Sequence, residues 1–191
     1  MKTLEEQLHA AGLTVTGACK SLSTYSAELA NTSALLADMT PQEIDLLGQS
    51  MLLVSAEPGQ TLIREGEVGE WMLLLLKGTV DVTKRVPQSV EPNVEVAGSP
   101  TEAEKPVTSS RIAVIQCGAT LGEMSMLDSE PRYASCTAIE AVEAGVLGRR
   151  EIGLLIRDHP AVGAKLLVKI TQLMAQRLRN TSNQLVKLLQ Q

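Results

Sequence analysis

The spacing of hydrophobic residues divides the chain into a helical start, a strand-rich middle and a helical end. Residues 1–39 carry loosely spaced leucines and are predicted to be helical with breaks. The sequence TPQE that follows predicts a helix start, because Thr40 can cap a helix, Pro41 suits its first turn and Glu43 can complete a capping box. We therefore expect a new domain to begin at this helix.

From residue 52 the pattern changes to short apolar runs, several of which alternate with polar residues. Gly78 separates two of these runs, as a turn requires, and Pro58-Gly59 and Gly66 punctuate others. The predicted strands have the sequences LLVSA, TLIRE, WMLLLL, TVDVTK, RIAVIQ and ASCTAIEAV. Many short strands joined by regular turns predict a β-roll or jelly roll.

Residues 86–110 interrupt this pattern with four prolines, several acidic residues and no periodicity. We predict a flexible, exposed acidic loop between two strands. A lid or a docking segment is the functional alternative for the same composition.

Helical spacing returns after Arg149-Arg150. A short helix is predicted to end at Asp158-His159-Pro160, and residues 161–191 then have the pattern of one long helix, with Gly163 as its one glycine. The predicted fold is α+β and mainly β. It comprises a double-stranded β-helix, or jelly roll, at 40–160, with N-terminal helices before it and a long C-terminal helix after it.

Composition limits the classes of function. Hydrophobic residues make up 44% of the 191 residues, which is enough for a core. The net charge is −5 and the basic residues concentrate on the last helix, so a direct nucleic-acid partner is not expected. No apolar run has the length of a signal peptide or a membrane span, and the three cysteines fit free thiols in a reducing compartment. A cytoplasmic location is therefore expected.

The sequence does not favour an enzyme. Its two histidines, His9 and His159, lie outside the predicted barrel, so neither a histidine-rich metal centre nor a catalytic triad is expected inside it. The chain carries no Walker loop and no dinucleotide fingerprint. We expect no catalytic residue, no metal and no cofactor.

The residues with the clearest chemical meaning lie between Gly118 and Ala138. Gly122 permits close approach of the backbone to a ligand, and the short helical turn after it would direct free N–H groups toward an anion. Arg132 offers a planar fork of donors that fits a phosphate, and Glu123 offers acceptors for a sugar hydroxyl. Together these residues describe a sugar-phosphate pocket.

The sequence GEMSMLDSEPRYASCTA in this stretch resembles the phosphate-binding cassette of cyclic-nucleotide-binding domains. Three further segments resemble the preceding strands of that family: EPGQTLIREGEVGE, LLLLKGTVDV and RIAVIQCGATLGE. The resemblance covers residues 40–185. It implies that Glu123 binds the ribose 2′-hydroxyl and Arg132 the cyclic phosphate, while backbone at Gly122 and from Met124 to Ser125 completes the cradle.

The C-terminal helix extends the resemblance. Its sequence MAQRLRNTSNQL resembles the dimer helix of bacterial catabolite activator proteins, in which a Thr-Ser pair contacts the adenine, one residue from each subunit. The resemblance implies a homodimer through this helix, with cAMP as the ligand. The ligand-binding residues that it implies are Gly122, Glu123, Met124, Ser125, Arg132, Tyr133, Ala134, Thr181 and Ser182.

Three features depart from the family pattern. Tyr133 follows the cassette arginine where Ser, Ala or Thr is usual, and its phenol could point outward, narrow the pocket or stack on a base. Leu121 stands where an aromatic residue usually precedes the cassette glycine. The helix-turn-helix domain of the transcription factors is expected to be absent, because the chain ends at Gln191.

Alternative interpretations of these residues remain open. Glu123 and Arg132 either form a ligand site or form a buried ion pair that braces a turn. Thr181 and Ser182 either contact a base or are polar residues on an exposed helix.

The first hypothesis for the whole chain is a stand-alone sensor that signals to a separate downstream protein through its last helix. The second is a degenerate module that keeps the fold for dimerisation or protein interaction, with no ligand or a different one.

Overall fold

The computed structural model describes residues 3–19, 21–25, 29, 32–86 and 108–190. Its strands are β1 (Thr14–Ala18), β2 (Leu52–Ala56), β3 (Thr61–Ile63), β4 (Trp71–Lys77), β5 (Val80–Val86), β6 (Thr108–Ile115), β7 (Thr120–Leu121), β8 (Ser135–Ala138) and β9 (Val142–Gly148). Its α-helices are α1 (Leu4–Ala10), α2 (Pro41–Gln49), α3 (Glu123–Asp128), α4 (Arg149–Asp158) and α5 (Pro160–Leu189), with a short 3₁₀ turn at Leu22–Thr24.

The described strands form two antiparallel sheets. One sheet has the order β1-β2-β9-β4-β7 and the other has the order β3-β8-β5-β6. Side chains from both sheets, such as Val54, Val82, Ala138 and Val146, are buried in one shared apolar cluster. With α1 before the first strand, α2 between β1 and β2, and α5 after the last strand, this arrangement confirms the predicted jelly-roll fold class.

Strand β4 shows how an uninterrupted apolar run becomes a strand. Its sequence WMLLLLK is buried at every position except the last. Leu73 and Leu75 join the cluster shared by the sheets, whereas Met72 and Leu74 join a second cluster that also contains residues of α2, α4 and α5. Because both faces of β4 are covered, no polar alternation is needed in its sequence.

The prediction that residues 1–39 are helical is wrong for one segment, because Thr14–Ala18 forms β1. This strand pairs with β2, and Val15 lies opposite Val54. The β-branched residues Thr14, Val15 and Thr16 suit an extended strand on the free side of β2. Tertiary pairing with β2 therefore overrides the leucine spacing that indicated a helix.

Two further boundaries differ from the prediction. The run ASCTAIEAV is not one strand, because it contains β8, a turn and the start of β9. Strands β8 and β9 belong to different sheets, so the chain must turn between them. The loop predicted at 86–110 is shorter at both ends, since Val86 and Thr108 pair in the β5–β6 ladder. The rest of that prediction, at 87–107, lies outside the described residues.

Helix α5 has 30 residues and therefore spans about 45 Å. Its first half packs on the domain, because Leu166 and Ile170 are buried in the second apolar cluster. Its second half carries exposed apolar side chains, among them Leu178 at 69% and Leu185 at 57% of full exposure. None of the helices in the described residues has both the length and the apolarity required to cross a membrane.

We predict that the turn at Gly78 is sterically restricted. Gly78 and Gly59 both have positive φ, at 89° and 82°, so alanine at either position costs about 1–2 kcal/mol. At Gly78 a Cβ would also collide with the carbonyl oxygen of Ala141, whereas at Gly59 no atom lies within 4 Å. Gly78→Ala should therefore lower the free energy of unfolding by a further 1–3 kcal/mol or so, measured by urea denaturation. Equal losses for Gly78→Ala and Gly59→Ala would contradict this turn geometry.

Candidate ligand-binding site

The site is built around the transition from β7 to α3 at Gly122. Gly122 is the N-cap of α3 and has φ of 78°, a left-handed conformation that glycine adopts without strain. A Cβ at this position would collide with Nη1 of Arg132. The glycine predicted to allow close approach therefore admits the guanidinium of Arg132 against the backbone.

Arg132 is buried, with 4% of its surface exposed. Its Nη1 donates a hydrogen bond of 2.7 Å to the Gly122 carbonyl, and its Nη2 donates one of 2.7 Å to the Trp71 carbonyl. The guanidinium carbon also lies 4.3 Å from the centre of the Trp71 ring. Two carbonyls and one aromatic face thus fix the position of the cation.

This buried cation has no carboxylate in an ion pair with it among the described residues. Burial lowers the pKa of Arg132 to about 10, so the group stays charged at neutral pH. A charge removed from water is costly unless a counter-charge accompanies it. The arrangement is therefore suited to an anion that would supply the missing charge.

Glu123 is also buried, with 1% exposed, and its carboxylate is only half satisfied. Its Oε1 accepts a hydrogen bond from Nη1 of Arg177, on α5. Its Oε2 is buried and has no hydrogen-bond partner among the described residues. Glu123 thus pairs with Arg177 and not with Arg132, so the two cassette residues do not form the simple ion pair that was the alternative interpretation.

Arg177 was not predicted from the sequence to be a site residue. Besides contacting Glu123, Arg177 donates from Nη2 to the Thr120 carbonyl at 2.6 Å. It lies four residues before Thr181, whose hydroxyl donates to the Arg177 carbonyl at 3.0 Å. A basic residue one helical turn before the Thr-Ser pair is the sequence signal that could have drawn attention to it.

Arg149 was also not predicted from the sequence to be a site residue. In the structure the Arg149 guanidinium lies at the C-terminal end of α3, where it donates to the Met126 carbonyl at 2.6 Å and to Oγ of Ser129 at 2.8 Å. Its main-chain N–H donates to the Glu70 carbonyl at 2.8 Å. A cation suits the carbonyl end of a helix, so Arg149 connects α3 to the start of α4.

Tyr133 points outward, which is one of the three directions considered for it. Its side chain is 61% exposed, and Nζ of Lys84 lies 4.1 Å from the centre of its ring. Lys84 also donates to the Tyr133 carbonyl at 2.6 Å and to Oε1 of Glu65 at 3.0 Å. The phenol thus lies on the exposed surface, in contact with Lys84.

The remaining cassette residues differ in burial. Ser125 and Ala134 are buried, and Ala134 belongs to the apolar cluster between the sheets, whereas Met124 is 44% exposed. Thr181 and Ser182 are exposed on the second half of α5. The described contacts bring Gly122, Arg132, Glu123 and Arg177 together, but they do not bring Thr181 or Ser182 to the cassette within one chain.

A cavity of about 340 Å³ lies beside Arg177, but Gly122, Glu123 and Arg132 do not line it. Arg177 and Thr120 line it, together with apolar residues such as Leu35, Ile115 and Leu173. Its volume is within the range of small-ligand pockets. Among the described residues, no group of three His, Cys, Asp or Glu side chains is placed to hold a metal ion.

No protein-family model matches the chain, but individual known proteins do. The chain is 26% identical over 162 residues to the CRP-like cAMP-activated global transcriptional regulator of Mycobacterium tuberculosis. This alignment covers 85% of this chain and 62% of that protein. It matches the crystal structure of a cyclic nucleotide-binding domain from Methylobacillus flagellatus with a TM-score of 0.73 and 29% identity, over 91% of this chain and 88% of that one. The catabolite activator protein of Thermus thermophilus matches with a TM-score of 0.65 and 25% identity, over 82% of this chain and 63% of that one.

These matches show that the chain has the cyclic-nucleotide-binding domain fold and has relatives among CRP-like regulators. They confirm the resemblance of the chain to cyclic-nucleotide-binding domains. The chain spans 62% of the length of the curated regulator and 63% of the catabolite activator protein, so the fold is shared over only part of those proteins.

We predict that Arg177 stabilises the buried carboxylate of Glu123. Arg177→Ala would remove the donor to Oε1 and should lower the free energy of unfolding by about 1–3 kcal/mol, measured by urea denaturation. Arg179→Ala, at an exposed position of the same helix, is the matched control and should change it by less than about 0.5 kcal/mol. If Glu123→Gln lowered the free energy of unfolding equally in the wild type and in Arg177→Ala, the two residues would not be coupled. That result would contradict this prediction.

Proposed function

We propose that this chain is a cyclic-nucleotide sensor and that cAMP is its ligand. The observation that carries the proposal is the buried guanidinium of Arg132, which lies against Gly122 without a carboxylate partner in the described residues. The curated relative from Mycobacterium tuberculosis is described as cAMP-activated, which supports the choice of this nucleotide. A cyclic phosphate would supply the negative counter-charge for the Arg132 guanidinium.

The two ends of the site suit the two ends of a ribose cyclic phosphate. Three N–H donors of Arg132 are not needed by the Gly122 and Trp71 carbonyls and can bind phosphate oxygens, with backbone N–H groups at Gly122 and from Met124 to Ser125 completing the cradle. The ribose 2′-hydroxyl can donate to Oε2 of Glu123, the oxygen that has no donor among the described residues. Because Arg177 bonds to Oε1, the hydroxyl need not displace it.

Signalling would follow from two arginines that tie the site to the last two helices. Arg177 joins Glu123 to α5, and Arg149 joins the end of α3 to the start of α4. A ligand that binds better when these contacts are formed shifts the population toward that arrangement of the helices. We propose that α5 carries this change to a separate downstream protein, and that Tyr133 and Ala134 border the site through their backbone.

The proposed role is regulatory and not catalytic. We propose that the protein acts in the cytoplasm and does not bind nucleic acid directly. The relatives named above are regulators and binding domains by their descriptions, which supports this role. The activity of the whole regulator is not carried over, because this chain covers 62% of its length.

We also propose a homodimer through α5. Leu178, Leu185 and Leu188 are 57–69% exposed and are separated by seven and three residues, which places them along one side of the helix. Parallel packing of two such helices about a two-fold axis would cover these side chains. In that arrangement Thr181 and Ser182 would extend from the helix pair to the base of a bound nucleotide.

One observation favours the second hypothesis, a module without a cyclic nucleotide. The position after Arg132, where a small residue is usual, is taken by Tyr133, whose side chain lies outside the site and supplies no hydroxyl to a phosphate. A module of this kind would keep the dimer but would show no affinity for cAMP.

The proposed ligand site predicts a graded loss of binding. Arg132→Ala should remove a charge-assisted contact of about 1.5–3 kcal/mol and weaken cAMP binding at least tenfold or so, measured by calorimetry. Glu123→Gln should weaken binding less, because the amide oxygen still accepts a hydrogen bond. Arg111→Ala is the control, since Arg111 lies exposed on the edge strand β6 and pairs with Asp81 of β5. Unchanged cAMP affinity in Arg132→Ala would refute the site. A wild-type protein that binds neither cAMP nor cGMP would support the second hypothesis.

The proposed dimer predicts that charge on the exposed side of α5 dissociates it. Leu178→Glu and Leu185→Glu would place carboxylates against each other across the two-fold axis, and light scattering should then report monomers. Gln176→Glu adds the same charge at another exposed position of the helix and should leave the dimer intact. A wild-type monomer at micromolar concentration, with and without cAMP, would show that α5 does not pair with a second copy.

A further inference from the structure

We infer that Trp71 is a positioning residue for Arg132, which it holds beside Gly122 before any ligand arrives. This inference rests on the proposed function, because it assigns a role to Trp71 in the affinity of the same anion site. Trp71 touches Arg132 twice, through its ring at 4.3 Å and through its carbonyl at 2.7 Å.

The position of the ring is itself fixed by the sheet. Trp71 begins β4, lies opposite Gly148 in the ladder with β9, and is 4% exposed. The ring therefore offers a rigid aromatic face to the guanidinium, which is the geometry of a cation–π contact. Since the ring and the carbonyl belong to one residue, the orientation of the guanidinium plane and one of its hydrogen bonds are set together.

Two glycines complete the space that the guanidinium occupies. A Cβ on Gly69 would lie 2.5 Å from Nη2 and 2.8 Å from Nε of Arg132, and a Cβ on Gly122 would collide with Nη1. The side chain is thus enclosed by Gly69, Gly122 and the Trp71 ring. An arginine that is already immobile loses little conformational freedom when an anion binds, so its affinity is higher than that of a mobile arginine.

The ring has a role separate from filling the core. Trp71 belongs to the apolar cluster between the sheets, so a purely structural role requires only an apolar side chain there. A positioning role requires an aromatic face as well. Trp71→Phe keeps that face, whereas Trp71→Leu keeps the apolar character and removes it, so the two variants separate the roles.

The first experiment compares cAMP affinity in the full chain by calorimetry. Loss of a cation–π contact predicts that Trp71→Leu binds about 2- to 30-fold more weakly than wild type, while Trp71→Phe stays close to wild type. Gly69→Ala should also weaken binding, because its Cβ displaces the guanidinium while Trp71 is unchanged. Equal or tighter binding by Trp71→Leu and Gly69→Ala would overturn the inference and leave the proposed function intact.

The second experiment needs no ligand and uses the single tryptophan of the chain. In wild type the guanidinium rests on its ring, so Arg132→Gln should change the tryptophan emission of the ligand-free protein. Arg111→Gln, on the edge strand β6, is the matched control and should not change it. Identical emission from wild type and Arg132→Gln would overturn the inference. If wild type fails to bind cAMP, the proposed function fails, and the emission of these variants still decides whether Trp71 holds Arg132.

Discussion

The site depends on one constraint, which is that the charge of Arg132 is kept inside the domain without an ion-paired carboxylate among the described residues. Such a cation is costly to bury, and the chain offsets this cost with two carbonyls and an aromatic face. Those partners accept hydrogen bonds from two of its five N–H donors and carry no formal negative charge. In the proposed function, an anion would supply the charge and use the remaining donors.

The sheet topology supplies these partners at the right place. Strands β4 and β7 are neighbours, with Leu73 opposite Leu121, so the start of β4 and the end of β7 lie side by side. The Trp71 and Gly122 carbonyls can therefore bind one guanidinium. The backbone of Arg132 is anchored as well, since its N–H donates to the Glu67 carbonyl at 2.8 Å and its carbonyl accepts from Gly66 at 2.9 Å.

The residues whose role is encoded locally could be predicted from the sequence. The run from Gly122 to Arg132 is contiguous, so its glycine, acid and arginine could be recognised together, and strand alternation indicated the jelly roll. Contacts between distant segments could not be predicted in the same way. The hydrogen bond from Arg132 to Trp71 joins residues 61 positions apart, and that from Arg177 to Glu123 joins residues 54 positions apart. Strand β1 was missed for a related reason, because its conformation depends on pairing with β2.

The two ends of the site differ in what holds them, and in the proposed sensor they reach different helices. Arg132 contacts only the β-roll and the cassette, so the phosphate end reaches the helices through α3, which Arg149 joins to α4. Glu123 is shared, because one of its oxygens already binds Arg177 of α5 while the other has no donor among the described residues. A hydroxyl on that second oxygen would fix the carboxylate and, through it, the arginine on the helix. In this proposed arrangement the phosphate end is coupled to α4 through Arg149, and the ribose end is coupled to α5 through Arg177.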